Sequence, residues 1–79
     1  MKIVLYSNDS LACEEVREFL KARSLEFEEV NVRTNEGFNR LLKRTQQNTV
    51  PAVEFKRSHS VGVIVGRDWG AFERELGRA

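Results

Sequence analysis

Few residues in this chain have chemistry to offer. Its 79 residues include one cysteine, Cys13, one histidine, His59, and one proline, Pro51. Cys13 lies in the stretch Ile3–Leu20, IVLYSNDSLACEEVREFL, where an apolar run gives way to a short polar loop and then to apolar residues at helical spacing. The thiol is therefore expected in the first turn of a helix that follows a strand, a position where redox proteins place reactive cysteines. Cys13 has two readings. In one it is a thiolate supported by the helix N-terminus and forms mixed disulfides with another molecule. In the other it is a small hydrophobe at the edge of the core, inert because it is buried. Glu14 and Glu15 follow it directly, and negative charge beside a thiol disfavours its ionised form. A single thiol excludes dithiol turnover within the chain, so any exchange is monothiol or is resolved by a second molecule. His59 sits among polar residues without a second His, Cys or carboxylate at ligand spacing, and reads as a surface residue with no metal site. No phosphate loop, nucleophile elbow or paired-carboxylate site is present.

The elements that must position Cys13 can be read in order. Ile3-Val4-Leu5-Tyr6 is a continuous apolar run, as expected of a strand covered on both faces, and predicts a first strand over residues 2–6. Ser7 to Ser10 supply turn chemistry and helix caps. A helix over about residues 10–23 follows, with Ala12, Val16, Phe19 and Leu20 as its apolar stripe and Cys13 on the flank of that stripe. Its acidic start and basic end (Lys21, Arg23) suit the helix dipole. Residues 27–32 read as a second strand, giving a βαβ unit with parallel strands and a right-handed crossover.

Thr34 or Asn35 caps a helix over about residues 36–46, with Phe38, Leu41, Leu42 and Thr45 on one face and Arg40, Lys43 and Arg44 elsewhere. Pro51 precedes a strand over residues 52–55, where its missing N–H costs no interior ladder bond. After a polar turn, residues 61–65 return as the second strand of a hairpin. Asp68 caps a last helix whose buried face is Trp69, Phe72 and Leu76. The order β-α-β-α-β-β-α predicts one α/β domain over residues 1–79, a four-stranded mixed sheet flanked by helices.

Composition narrows the function classes. A net charge of +1, from 13 basic and 12 acidic residues, gives no electrostatic case for nucleic acid or an anionic membrane. No apolar run approaches the ~20 residues that span a bilayer. A strand that starts at residue 2 leaves no room for a signal peptide, so a cytoplasmic monomer is expected. The 41% hydrophobic content is that of a globular chain. With no intrachain disulfide available, its small core must suffice.

Five features recur in register with a known family. They are Tyr6-Ser7 at the strand end, Cys13-x-x-Val16-x-x-Phe19-Leu20, Phe27-Glu28-x-Val30-x-Val32, Thr49-Val50-Pro51, and Val65-Gly66 before an Asp-capped helix. Over essentially its whole length the chain resembles the glutaredoxins, of the thioredoxin fold. The resemblance implies thiol–disulfide exchange in electron transport and cell redox homeostasis, with no bound cofactor and glutathione as co-substrate. The partners it implies are glutathione or a protein thiol or disulfide. It implies a cis Pro51 beside the active-site thiol, with the Thr49-Val50-Pro51 backbone pairing with glutathione or an incoming peptide. It also implies that Gly66, Arg67 and Asp68 hold the γ-glutamyl carboxylate, as a helix N-terminus does for anions generally. A basic helix bearing Arg40, Lys43 and Arg44 would take the glycyl carboxylate, although such residues are more often a solvated face. Each of these segments has a plainer reading: Pro51 starts a strand, Gly66 makes a turn, and Asp68 caps a helix.

One departure from the family pattern matters. The family motif is Cys-Pro-x-Cys or Cys-Pro-x-Ser, with the first Cys as nucleophile. Counting back from Leu20 and Phe19, Cys13 matches the second position, Ser10 the first and Leu11 the proline, and the preceding loop is one residue short. A serine hydroxyl ionises at far too high a pH to attack a disulfide, so Ser10 reads foremost as the helix cap. An iron–sulfur cluster is not implied, because family members that bind one use the first cysteine. Two functions stay open. One is a redox protein working through Cys13 as its single thiol. The other is a redox-inactive binding module that keeps the groove and pairs with an extended partner strand at the Pro51 segment.

Overall fold

β1 (Lys2–Ser7) is the strand on which the sheet is built. In the computed structural model, which describes residues 1–77, β1 is followed by α1 (Leu11–Ala22), β2 (Glu28–Asn31), α2 (Asn35–Thr45), β3 (Ala52–Lys56), β4 (Val61–Val65) and α3 (Trp69–Leu76). β1 pairs in parallel with β2, Tyr6 opposite Val30, and antiparallel with β3, Leu5 opposite Val53. β3 and β4 form an antiparallel hairpin, so the strand order is β2-β1-β3-β4. The mixed sheet and the element order are those expected from the sequence.

Val4, Leu5 and Tyr6 are fully buried, because both faces of β1 are covered. Ile3 and Leu5 join Val16 and Leu20 of α1, Val53 and Phe55 of β3, Ile64 of β4 and Phe72 of α3 in one core. Val4 and Tyr6 join Val30, Ala52 and Leu41 of α2 in the other. Each fully buried aliphatic or aromatic side chain contributes about 1.5–3 kcal/mol, and these two layers hold the small domain together.

The second core contains a charge. Glu54 is only 2% exposed, and its carboxylate accepts a hydrogen bond from the Tyr6 hydroxyl at 3.2 Å and lies 3.8 Å from Lys56 Nζ. A buried carboxylate is tolerated when it is paired in this way. Burial first, and then the negative charge of Glu54, pushes the Tyr6 phenol above its usual range.

The structure corrects several details of the sequence reading. Cys13 lies within the buried stripe of α1, with Val16 and Leu20, while Ala12 and Phe19 are half-buried. Positions 13, 16 and 20 share one helical line, so the thiol faces inward rather than lying on the flank. On α2 the buried residues are Gly37 and Leu41, leaving Phe38 and Leu42 partly exposed. Trp69 keeps 38% of its surface exposed, whereas Phe72 is fully buried. α1 and α2 each start one residue away from the expected boundary. Ser10 and Thr34 are their caps, and the side-chain oxygens accept the N–H groups of Cys13 and Gly37. β2 is shorter than expected, but the flanking Phe27 and Val32 still pack against the two cores.

Gly37 marks where α2 meets the end of β2. A Cβ there would stand 1.9 Å from the Asn31 carbonyl oxygen and 2.9 Å from Thr34 Oγ1. In a free helix, alanine is better than glycine by about 1 kcal/mol. Here the backbone contact reverses the sign. Gly37→Ala is expected to destabilise the fold by about 1–3 kcal/mol, read from the urea midpoint. A midpoint that stays in place or rises would refute this account of the α2–β2 junction.

Candidate functional site

The register of the sheet gathers the candidate segments at one end. Tyr6 of β1 lies opposite Ala52 of β3, and Ala52 lies opposite Val65 of β4. The next residues at that end are Ser7, Pro51 and Gly66. The chain thus brings together the loop that leads into α1, the Thr49–Pro51 segment and the entry to α3. The Gly66 N–H closes the last gap by donating to the Pro51 carbonyl at 2.7 Å.

Cys13 is fully buried, and its sulfur is held by Asn8. The thiol donates to Asn8 Oδ1 at 3.2 Å, and the sulfur accepts the Asn8 main-chain N–H at 3.4 Å. The same Asn8 Oδ1 accepts the Ser10 N–H at 2.9 Å, and Ser10 Oγ accepts the Cys13 N–H at 3.3 Å. Loop and first helical turn therefore close on each other through three residues. Ser10 and Leu11 face solvent at the front of this turn, Leu11 with 71% of its surface exposed.

Glu29 anchors the base of the loop. It accepts the Ser7 hydroxyl at 2.6 Å, and Arg17 Nε lies 3.0 Å from each of its carboxylate oxygens. The Arg17 guanidinium foremost, with help from Ser7, holds the Glu29 carboxyl below its usual range against the opposing effect of burial. Asp9 adds an ion pair with Arg33 beyond β2.

At the neighbouring segment, the Val50–Pro51 peptide is cis. Pro51 is buried, Val50 half-buried and Thr49 exposed. Gly66 adopts φ 86°, which favours glycine, although a Cβ there would meet open space. Arg67 reaches back to α1, placing Nη1 2.7 Å from Glu15 Oε1. Asp68 caps α3, its Oδ1 accepting the Ala71 N–H at 3.1 Å. One turn along α1 from Glu15, the Phe19 ring lies 5.0 Å from that of Trp69.

The basic residues of α2 are not uniformly solvated. Arg40 forks onto Glu28 at 2.7 and 3.2 Å and sits 5.9 Å from the Tyr6 ring centroid. That guanidinium foremost brings the Glu28 carboxyl down to about 2. Lys43 and Arg44 are exposed, as is His59 in the β3–β4 turn. Among the described residues, no group of three His, Cys, Asp or Glu side chains is arranged to hold a metal ion. No helix of the described residues is long and apolar enough to cross a membrane.

Asn8 and Glu29 were not expected at the site. Asn8 carried a usable signal, since an Asn two residues before a helix cap often folds its side chain back onto the backbone. Glu29 carried none, because its partners lie 12 and 22 residues away.

A mixed sheet in this order, with helices on both faces, is the thioredoxin fold. Among solved structures, a point mutant of the thioredoxin-like protein BC3987 is similar at a TM-score of 0.82 and 28% identity, covering 96% of this chain and 100% of that one. The unmutated BC3987 gives a TM-score of 0.78 at 28% identity, covering 92% and 97% of the two chains. No curated protein matches the sequence. The glutaredoxin family model matches residues 11–60, and the chain belongs to the glutaredoxin family. With the family comes a redox-related role.

The Glu29 anchor makes a pH-dependent contribution. Its carboxyl is lowered from an ordinary value of 4.5, so the contribution is present above that value and is lost as pH falls through the lowered one. Glu29→Gln is expected to lower the thermal midpoint at neutral pH by the equivalent of about 1 kcal/mol or less, since the pair is partly exposed. The difference should shrink as pH falls below the ordinary carboxylate range. Midpoints that stay parallel from neutral pH down to strong acid would remove Glu29 from this role.

Proposed function

We propose that the protein carries out monothiol exchange of glutaredoxin type, with Cys13 as the exchanging sulfur. Residues 49–51 and 66–68 form the groove that holds glutathione or an extended partner segment. The observation that carries this reading is the position of Cys13. The chain's one thiol lies in the first turn of α1, with the Asn8 main-chain N–H directed at its sulfur. A helix N-terminus and an N–H donor both favour the negative charge that a sulfur carries during exchange.

In the step itself, Cys13 loses its proton to solvent and attacks one sulfur of a partner disulfide. The new bond joins Cys13 to that sulfur, the old S–S bond breaks, and the departing thiolate takes up a proton. A second thiol, glutathione or one on the partner, then reverses the linkage. Ser10 caps α1 at the mouth of the groove and supplies no nucleophile. Val50 and Thr49 offer backbone groups to the incoming segment. Because the sulfur is fully buried, the reaction proceeds when the Asn8–Ser10 turn swings away from it.

One observation favours a second reading. The Cys13 thiol is out of solvent with its proton committed to Asn8 Oδ1. A redox-inactive module would keep it so, and would use the Pro51 segment to pair with a partner strand through the backbone.

Intact-mass measurement separates the two. Native protein incubated with oxidised glutathione is expected to gain one glutathione adduct, and Cys13→Ser is expected to gain none. Iodoacetamide should also label the native chain, more slowly than the chain unfolded in urea. A Cys13 that both reagents reach only after unfolding would overturn the exchange reading in favour of the binding module.

A further inference from the structure

We infer that the groove selects an uncharged or cationic extended segment of a protein partner and disfavours small anionic disulfides such as oxidised glutathione, with Glu15 setting this preference. The inference rests on the exchange reading above.

The guanidinium that would receive a ligand carboxylate is already held by the chain itself. Arg67 supplies the guanidinium of the 66–68 segment, and Glu15 holds it at 2.7 Å. Three N–H groups at the start of α3 have partners as well. The Trp69 N–H donates to the Arg67 carbonyl at 3.0 Å, the Ala71 N–H to Asp68 Oδ1 at 3.1 Å, and the Phe72 N–H to the Asp68 carbonyl at 3.0 Å. An incoming carboxylate competes with Glu15 for Arg67 and settles beside Asp68. The local sum of Glu15, Asp68 and Arg67 is one negative charge, and Glu14 adds another in the first turn of α1. Like charges brought to contact distance repel even in solvent.

What the same surface offers instead is an apolar lip beside a carboxylate. Leu11, Glu15 and Phe19 follow one another at four-residue spacing on α1 and so share a face. Phe19 meets Trp69 and Glu15 meets Arg67, while Leu11, one turn further toward the mouth, remains largely exposed. An extended segment with an apolar residue and a neighbouring cation complements that order. Glu15 is thus a specificity-determining residue, which acts through Arg67 and through its own charge.

Three small disulfides test the preference: cystamine, which is cationic, 2-hydroxyethyl disulfide, which is neutral, and oxidised glutathione, which is anionic. Each reacts with the Cys13 thiol to give one mixed disulfide and one free small thiol, so the chemistry is balanced and shared. Rates of adduct formation are read by intact mass for the native chain and divided by those for the chain unfolded in urea. The cystamine-to-glutathione ratio is expected to exceed the unfolded ratio by about threefold or more at low salt. Glu15→Gln should bring it close to the unfolded ratio, and Glu15→Lys should invert it. Salt at about 1 M, where the screening length is ~3 Å, should do to the unaltered protein what Glu15→Gln does. Adducts that form with no charge preference, or with one indifferent to Glu15 and to salt, overturn this inference while leaving the exchange reading in place. A native chain that none of the three reagents modifies overturns both.

Discussion

The structure depends on β1 being covered on both faces and paired on both edges. A strand in that position cannot shift its register without moving apolar side chains out of two cores at once. Its exit is therefore fixed. Ser7 is buried, its carbonyl accepts the Val32 N–H at 3.0 Å and its hydroxyl is taken by Glu29. From that fixed point the chain has residues 8–10 in which to turn into α1. So short a turn brings Asn8 back over the first helical turn, within reach of the sulfur of Cys13. The burial of the thiol is thus a consequence of the sheet and of the loop length together.

The same register assembles the rest of the site. Pro51 immediately precedes β3 and Gly66 immediately follows β4, so pairing either strand with its neighbour delivers both to the end of the sheet where β1 exits. No side chain of the groove is needed to bring these segments together. The side chains refine the result. Glu15 and Arg67 tie α1 to the α3 entry, and Phe19 and Trp69 pack beside them.

Much of this could be read from the sequence, and for definite reasons. A four-residue apolar run is legible as a doubly covered strand, and Ser10, Thr34 and Asp68 are legible as caps because capping acts within three residues. The inward orientation of Cys13 was not legible. Periodicity orders residues around a helix, but which of them points to the core depends on what the helix packs against. Ala12 and Phe19 weighted the expected stripe toward the wrong side. Glu54 reads as an ordinary solvent-facing residue of a hairpin strand, and only the arrival of Tyr6 from β1 makes it a buried, partnered carboxylate. Glu15 with Arg67 and Glu29 with Arg17 are contacts between distant segments, and long-range ion pairs leave no local trace. Carboxylate binding at residues 66–68 was implied by the resemblance alone, and the pairing of Arg67 with Glu15 is not visible in the sequence.

Burial of Cys13 weighs less against exchange than it first suggests. The turn that holds the sulfur through Asn8 is a surface segment, with Asn8 half-buried and Asp9 and Ser10 exposed. Its hold on the thiol is two hydrogen bonds, each contributing about 0.5–1.5 kcal/mol net. The exposed Asp9–Arg33 pair adds little. Releasing the turn therefore costs about 1–3 kcal/mol, a population factor of about 5–150. Local opening of this kind lies well below the cost of global unfolding, which is where surface loops belong in the hierarchy of native-state motion. In the proposed exchange, such a turn would lower the rate at which Cys13 meets a disulfide without forbidding the encounter. A partner that gains contacts at Leu11 and Glu15 as the turn opens would offset that cost, whereas a small anionic disulfide has no such contact to offer. In the proposed exchange, access and selectivity would then be set by neighbouring residues of the turn and the start of α1.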